Sequence, residues 1–203
     1  GGTNARFALT SPNDSSYTWF KKFRCADFGT VIEAINSYLK HQDVNNLQEI
    51  YLAVAAPVYG DKVKIINNHW TVDKKELTKT FSLKKINIIN DYESIVYAID
   101  SIANSNYHNL GPLKYKHNKN MSYNLGIVGP GTGLGGSGLR KTKKRVNAYA
   151  AELGHVGFSP QNEIQVELTE ILKNKFHRII NETFVSGPGI QNIFWALHQI
   201  KNK

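Results

Sequence analysis

Residues 126–139, GIVGPGTGLGGSGL, contain Gly131-x-Gly133-x-x-Gly136, a spacing that cradles a dinucleotide pyrophosphate in one setting and another phosphate in others. The dinucleotide reading requires the third glycine to open a helix facing the pyrophosphate, with an acidic residue about 20 residues on. SGLRKTKKRVNAYA has neither helical periodicity nor a cap, and Glu152, at about the right distance, falls in the loop-like AELGHVGF. A dinucleotide-binding oxidoreductase is therefore a remote alternative. A Walker A loop is excluded, because no glycine is followed by Lys-Ser or Lys-Thr in the required frame. What remains is a glycine turn between two strands with Thr132 at its tip. It offers backbone N–H groups and one hydroxyl to a phosphate, as a nest without a helix dipole. A second such turn, Gly1-Gly2-Thr3-Asn4, feeds a strand at the start. Two glycine-threonine hairpins facing each other form a clamp for a polyphosphate tail.

Three further sets of polar residues carry chemistry. Asn90-Asp91 ends an apolar strand-like run, where open α/β sheets place ligand groups. A carboxylate there takes a proton from a hydroxyl nucleophile, and the asparagine orients that hydroxyl; as a bare pair, Asn-Asp is also a helix cap. Glu152 and His155 stand three apart among glycines, and Glu182 precedes the glycine-rich SGPG. Carboxylates, an amide and an imidazole suit a polyhydroxylated ligand, since each hydroxyl is donor and acceptor at once.

These groups need a scaffold. NARFALT (4–10) and YTWFKKFR (17–24) are expected to form a hairpin, and Thr30-x-x-Glu33 is a capping box for a helix with Val31, Ile32, Ile35, Tyr38 and Leu39 on one face. EIYLAVA (49–55) has the continuous apolar pattern of a strand buried on both faces. KVKII (62–66), a helix start at Asp73-x-x-Glu76, the strand INIIN (86–90) and a helix over 94–102 follow. Beyond the polar segment 106–122 come YNLGIVG, two strands within 136–149, a helix over 166–176 and a last helix opened by Ser186-Gly-Pro. That last helix carries Ile190, Ile193, Phe194 and Leu197 on one face. Strands alternating with helices indicate an α/β fold, with a small domain over 1–105 and the first part of a larger one over 106–203.

Hydrophobic residues at 41% and charged residues at 20% describe an ordinary globular chain. Its net charge of +9 is scattered; the densest run, LRKTKKR at 139–145, fits a solvated hairpin, so no nucleic-acid partner is expected. No apolar run approaches the roughly 18 residues of a membrane span, and no membrane partner is expected. One cysteine, Cys25, with seven dispersed histidines leaves no zinc-ligand cluster, so no protein metal site is expected and the cytoplasm is the expected compartment.

GGTNARFAL, LAVAAPVYGDKV with INNHW, INDYESIVYAI, GPGTGLGG, AELGHVGFSP and ETFVSGPG together resemble, in order and spacing, the bacterial glucokinase family of the actin-like (ribonuclease H-like) ATPase fold. The resemblance touches nearly the whole chain. It implies a glycolytic transferase that phosphorylates the glucose 6-hydroxyl with ATP and Mg²⁺ in a cleft between two α/β domains, as a homodimer when full length. By the same resemblance Asp91 is the general base, and Asn90, Asp91, Glu152, His155 and Glu182 hold the sugar. Gly1, Gly2, Thr3 and Asn4 form one phosphate turn, and Gly131, Thr132 and Gly133 the other. A non-catalytic sugar sensor of the same fold is the alternative. Leu153 stands where the family has glycine. The Glu-x-Gly-His form is also similar to the ROK group, whose zinc-binding cysteine cluster is missing here. The chain opens on Gly1, and the resemblance implies an N-terminal fragment lacking its first strand, an Asp just upstream and the segment that covers adenosine.

Overall fold

A computed structural model of the chain describes residues 3–11, 16–40, 42, 44, 46–66, 68–99, 108, 110–112, 118 and 120–201. They divide into two compact units, Gly1–Ser94 and Ile95–Lys203.

In the first unit, β1 (Asn4–Leu9) and β2 (Thr18–Arg24) pair antiparallel as the expected hairpin. Helix α1 (Val31–Leu39) starts where Thr30 Oγ1 accepts from the Glu33 N–H at 3.1 Å. The return bond closes one residue early: Glu33 Oε2 accepts from the Gly29 N–H at 2.8 Å rather than from Thr30. The apolar face of α1 buries Val31, Ala34 and Ile35 among Val54, Val63, Trp70, Val72, Leu77 and Ile88, which form the core of this unit.

Strand β3 (Glu49–Val54) lies parallel to β6 (Lys85–Asn90), with Glu49 opposite Lys85 and Val54 opposite Asn90. Parallel neighbours need a crossover. Here it contains the hairpin of β4 (Lys62–Lys64) with β5 (Thr71–Asp73) and helix α2 (Lys74–Phe81). Asp73 Oδ1 caps α2, accepting from the N–H groups of Lys75 at 2.9 Å and Glu76 at 3.2 Å. Contrary to the sequence expectation, β3 is not buried on both faces. Ile50, Leu52 and Val54 face the core, whereas Tyr51 is 61% exposed. That outer face is apolar in composition yet solvated through polar partners: the Tyr51 hydroxyl donates to Glu49 Oε2 at 2.8 Å, and the Lys85 ammonium lies 5.6 Å from its ring centre. A second correction concerns α3 (Asp91–Tyr97), which begins three residues before the expected Ser94, directly at the end of β6.

In the second unit β7 (Tyr123–Pro130), β8 (Leu134–Lys141) and β9 (Val146–Ala151) form an antiparallel meander. Pro130 is opposite Leu134, so residues 131–133 make the tight turn of the first hairpin. Gly136 and Gly138 lie within β8, which removes the helix a dinucleotide fingerprint requires. The basic run turns the second hairpin, where Thr142 Oγ1 accepts from the Arg145 N–H at 3.0 Å.

Helix α4 (Glu163–Lys173) starts earlier than its apolar pattern suggests, because Asn162 caps it by accepting from the Gln165 N–H at 2.9 Å. A one-turn helix α5 (Asn181–Phe184), absent from the sequence reading, precedes α6 (Gly187–Lys201). Ile193 and Ala196 of α6 pack on Leu168, Ile171, Leu172 and Phe184. Ile190, Phe194 and Leu197 are exposed, so the expected four-residue stripe is divided, with Ile193 turned to the core. The segment 106–122 lies for most of its length outside the described residues, and among the described residues no helix is long and apolar enough to cross a membrane.

The two faces of the β3–β6 layer predict unequal costs. Ile88→Ala, on the inner face of β6 with 6% of its surface exposed, should lower stability by about 2–5 kcal/mol in urea unfolding. Tyr51→Ala should stay within about 0.5 kcal/mol. Equal losses would contradict the assignment of the faces.

Candidate active site

In the first unit Asn90 and Asp91 stand at the carboxyl end of β6, parallel to β3, the rim where α/β sheets receive ligands. Asn90 caps α3: its Oδ1 accepts from the N–H groups of Tyr92 at 2.9 Å and Glu93 at 3.3 Å. Its amide nitrogen donates to the Ala56 carbonyl at 3.4 Å, which ties the chain leaving β3 to the end of β6. The cap and the ligand roles are compatible, because a primary amide carries two N–H donors and one remains.

Asp91 follows as the first residue of α3, half-buried, with Oδ1 accepting from the Tyr92 N–H at 3.0 Å. Burial of the Tyr92 phenol, and next the charge of Asp91, push the Tyr92 pKa up. Such a carboxylate retains acceptor capacity for a hydroxyl proton. Thr3 and Asn4 are fixed by the β1–β2 hairpin: Thr3 O accepts from the Cys25 N–H at 3.0 Å, and Asn4 pairs with Arg24. Gly1 and Gly2 lie outside the described residues.

In the second unit three separate sequence motifs meet around Glu182. Its Oε2 accepts from the Leu134 N–H at 2.7 Å, at the point where the Gly131–Gly133 turn enters β8. A Cβ on Gly133 would stand 2.3 Å from this oxygen, and one on Gly154 would stand 3.1 Å from it and 2.5 Å from the Leu134 carbonyl oxygen. Glycine is therefore needed at Gly154, against backbone, whereas at Gly133 the Glu182 carboxylate could give way. Gly154 belongs to a short 3₁₀ turn, Leu153–His155, anchored to α5 where the Asn181 N–H donates to the Val156 carbonyl at 2.9 Å. Glu152 and His155 flank it, both exposed, and among the described residues neither side chain makes a hydrogen bond within the protein. A carboxylate and an imidazole are thus presented to solvent beside a half-buried carboxylate.

The turn expected to act as a nest without a helix dipole is in contact with the start of a helix. The Gly131 N–H turns inward to the Gly133 carbonyl at 2.7 Å, and the Gly131 carbonyl accepts from the N–H of Gly187, the first residue of α6, also at 2.7 Å. The turn rests on a helix N-terminus. Among the described residues, the N–H groups of Thr132 and Gly133 and the Thr132 hydroxyl make no hydrogen bond within the protein, and they are the donors a phosphate would meet. Leu134 and Gly187 were missed by sequence reasoning because their contributions are backbone groups. The glycines at these contacts, Gly154 against Leu134 and Gly187 against the Gly131 carbonyl, are the visible sign.

The glucokinase family model matches residues 1–203, the whole chain. The chain belongs to the glucokinase family. It is 32% identical over 200 residues to the glucokinase of Hahella chejuensis, covering 98% of this chain and 61% of that protein. It is 34% identical over 206 residues to the glucokinase of Helicobacter pylori, covering 99% and 60%. The chain therefore spans about 61% of the length of such curated relatives.

Among solved structures, glucokinase from an Antarctic psychrotroph superposes with a TM-score of 0.77 at 27% identity, over 99% of this chain and 63% of that one. Glucokinase from Balamuthia mandrillaris, solved in complex with glucose, gives 0.75 at 25% over 98% and 61%. The fold is accordingly the mixed α/β, actin-like ATPase fold of glucokinases. The Leu153 side chain lies over Gly136 of β8, where a Cβ would collide with Leu153 Cδ1.

The two glycines against Glu182 should respond differently to a methyl group. Gly154→Ala meets the Leu134 carbonyl, part of a paired strand, and should cost about 1–3 kcal/mol. Gly133→Ala meets only a carboxylate at the end of a flexible side chain, and should cost less than about 1 kcal/mol. Thermal melts of the two variants check this, and a larger loss at Gly133 would contradict the placement of Glu182.

Proposed function

We propose that the intact gene product phosphorylates glucose on its 6-hydroxyl with ATP, giving glucose 6-phosphate for glycolysis in the cytoplasm, and acts as a homodimer. Residues 1–105 supply its smaller domain and 106–203 open its larger one. The observation that carries this reading is the pair at the end of β6: a half-buried carboxylate, Asp91, beside an Asn90 amide with one N–H to spare. Family membership over the whole chain and the glucose complex of the Balamuthia relative support the choice of sugar.

Asn90, Glu152, His155 and Glu182 then hold the sugar hydroxyls, and Asp91 accepts the proton of the 6-hydroxyl. As that proton leaves, the sugar oxygen bonds to the γ-phosphorus, the bond from that phosphorus to the bridging oxygen breaks, and ADP departs. The turns at Gly1, Gly2, Thr3 and Asn4 and at Gly131, Thr132 and Gly133 receive the phosphates. Among the described residues no group of three or more His, Cys, Asp or Glu could hold a metal ion. In this reading Mg²⁺ arrives as part of the MgATP substrate.

Glucose-dependent ADP release by the intact gene product tests the proposal. Asp91→Asn keeps the side chain's size and should keep most sugar affinity while lowering turnover roughly 10²-fold or more. Near-normal turnover would reduce Asp91 to a residue of the helix start.

A further inference from the structure

A sugar ligand needs only to face the sugar, yet Glu182 is already bonded to the opposite motif. Its Oε2 accepts the Leu134 N–H at 2.7 Å, and the Gly133 and Gly154 backbones close around the same oxygen, so that a Cβ on either would approach it. The Leu134 N–H immediately follows Thr132 and Gly133, whose own N–H groups make no hydrogen bond within the protein among the described residues. The turn is held from both ends. Glu182 grips its exit at Leu134, and Gly187 of α6 grips its entry through the Gly131 carbonyl at 2.7 Å. The backbone that carries Glu182 is held in place, because α5 is tied by Asn181 to the Leu153–His155 turn through bonds to the Val156 and Leu153 carbonyls.

We infer that Glu182 is a positioning residue with two tasks: one carboxylate oxygen latches the Gly131–Gly133 turn through the Leu134 N–H, the other meets the sugar, and nucleotide and sugar binding are coupled through this one side chain. The inference rests on the kinase reading above and deepens it. A carboxylate has lone pairs enough for both partners at once. A sugar hydroxyl on Oε1 removes rotamer freedom that the latch would otherwise have to restrict, so the coupling is positive: glucose tightens nucleotide binding. By linkage, nucleotide tightens glucose binding by the same factor.

The test is calorimetric titration of the intact gene product with a non-hydrolysable ATP analogue, without sugar and with saturating glucose. Without sugar, a residue that served the sugar alone would leave nucleotide affinity unmoved. Glu182→Asp keeps the charge but withdraws the carboxylate by one methylene. It and Glu182→Ala should weaken the analogue about tenfold or more, while Glu182→Gln, which retains an acceptor in the place of Oε2, should stay within about threefold.

In the unaltered protein glucose should tighten the analogue at least about fivefold, a factor falling towards one in Glu182→Asp. Should Glu182→Ala fail to fold, Glu182→Asp decides. Analogue binding by Glu182→Asp equal to that of the unaltered protein in the absence of sugar would overturn the latch and leave the kinase reading standing. An unaltered protein that neither binds the analogue nor phosphorylates glucose would overturn both.

Discussion

The second unit is organised around one charge-assisted hydrogen bond, from the Leu134 N–H to Glu182 Oε2 at 2.7 Å. Bonds of this kind are worth about 1.5–3 kcal/mol, roughly twice a neutral one, because the acceptor carries full charge. Its larger effect is geometric. For a carboxylate on a one-turn helix to lie this close to the first residue of a strand, Gly154 must carry no side chain, and one at Gly133 would push the carboxylate aside. Three motifs distant in sequence, GPGTGLGG, AELGHVGF and ETFVSGPG, are thereby obliged to pack as one constellation. Leu153 over Gly136 extends the same fit.

The first unit solves a related problem with a neutral group. Parallel strands β3 and β6 end together, and their departing chains would diverge if nothing joined them. Asn90 does so, capping α3 with its oxygen and holding Ala56 with its nitrogen. Asp91 is then carried on a helix start whose direction is set by its neighbour. In both units the groups suited to a ligand, the spare Asn90 N–H, the Asp91 carboxylate and the donors of Thr132 and Gly133, are those left over once the local scaffold has been satisfied.

Elements governed by local chemistry were legible in the sequence. Thr30, Asp73 and Ser186 mark helix starts, and the alternation within 136–149 shows two strands after YNLGIVG, though not their register. What failed depended on partners a sequence does not display. EIYLAVA reads as doubly buried because Tyr51 and Ala53 count as apolar, whereas Glu49 and Lys85 solvate that face. The start of α3 is set by the Asn90 cap at the strand end rather than by the apolar residues that begin at Ile95. At the candidate site the side chains could be named from residue type and family motif. The backbone half, Leu134 and Gly187, could not, since any residue type supplies an N–H.

A crystal structure of the intact gene product with glucose would test the central claim most directly. The account predicts the sugar hydroxyls within about 2.6–3.2 Å of Asn90, Asp91, Glu152, His155 and Glu182, with the 6-hydroxyl on Asp91 and the Leu134 N–H still on Glu182. Glucose bound elsewhere, or bound with Asp91 turned away from the 6-hydroxyl, would contradict it.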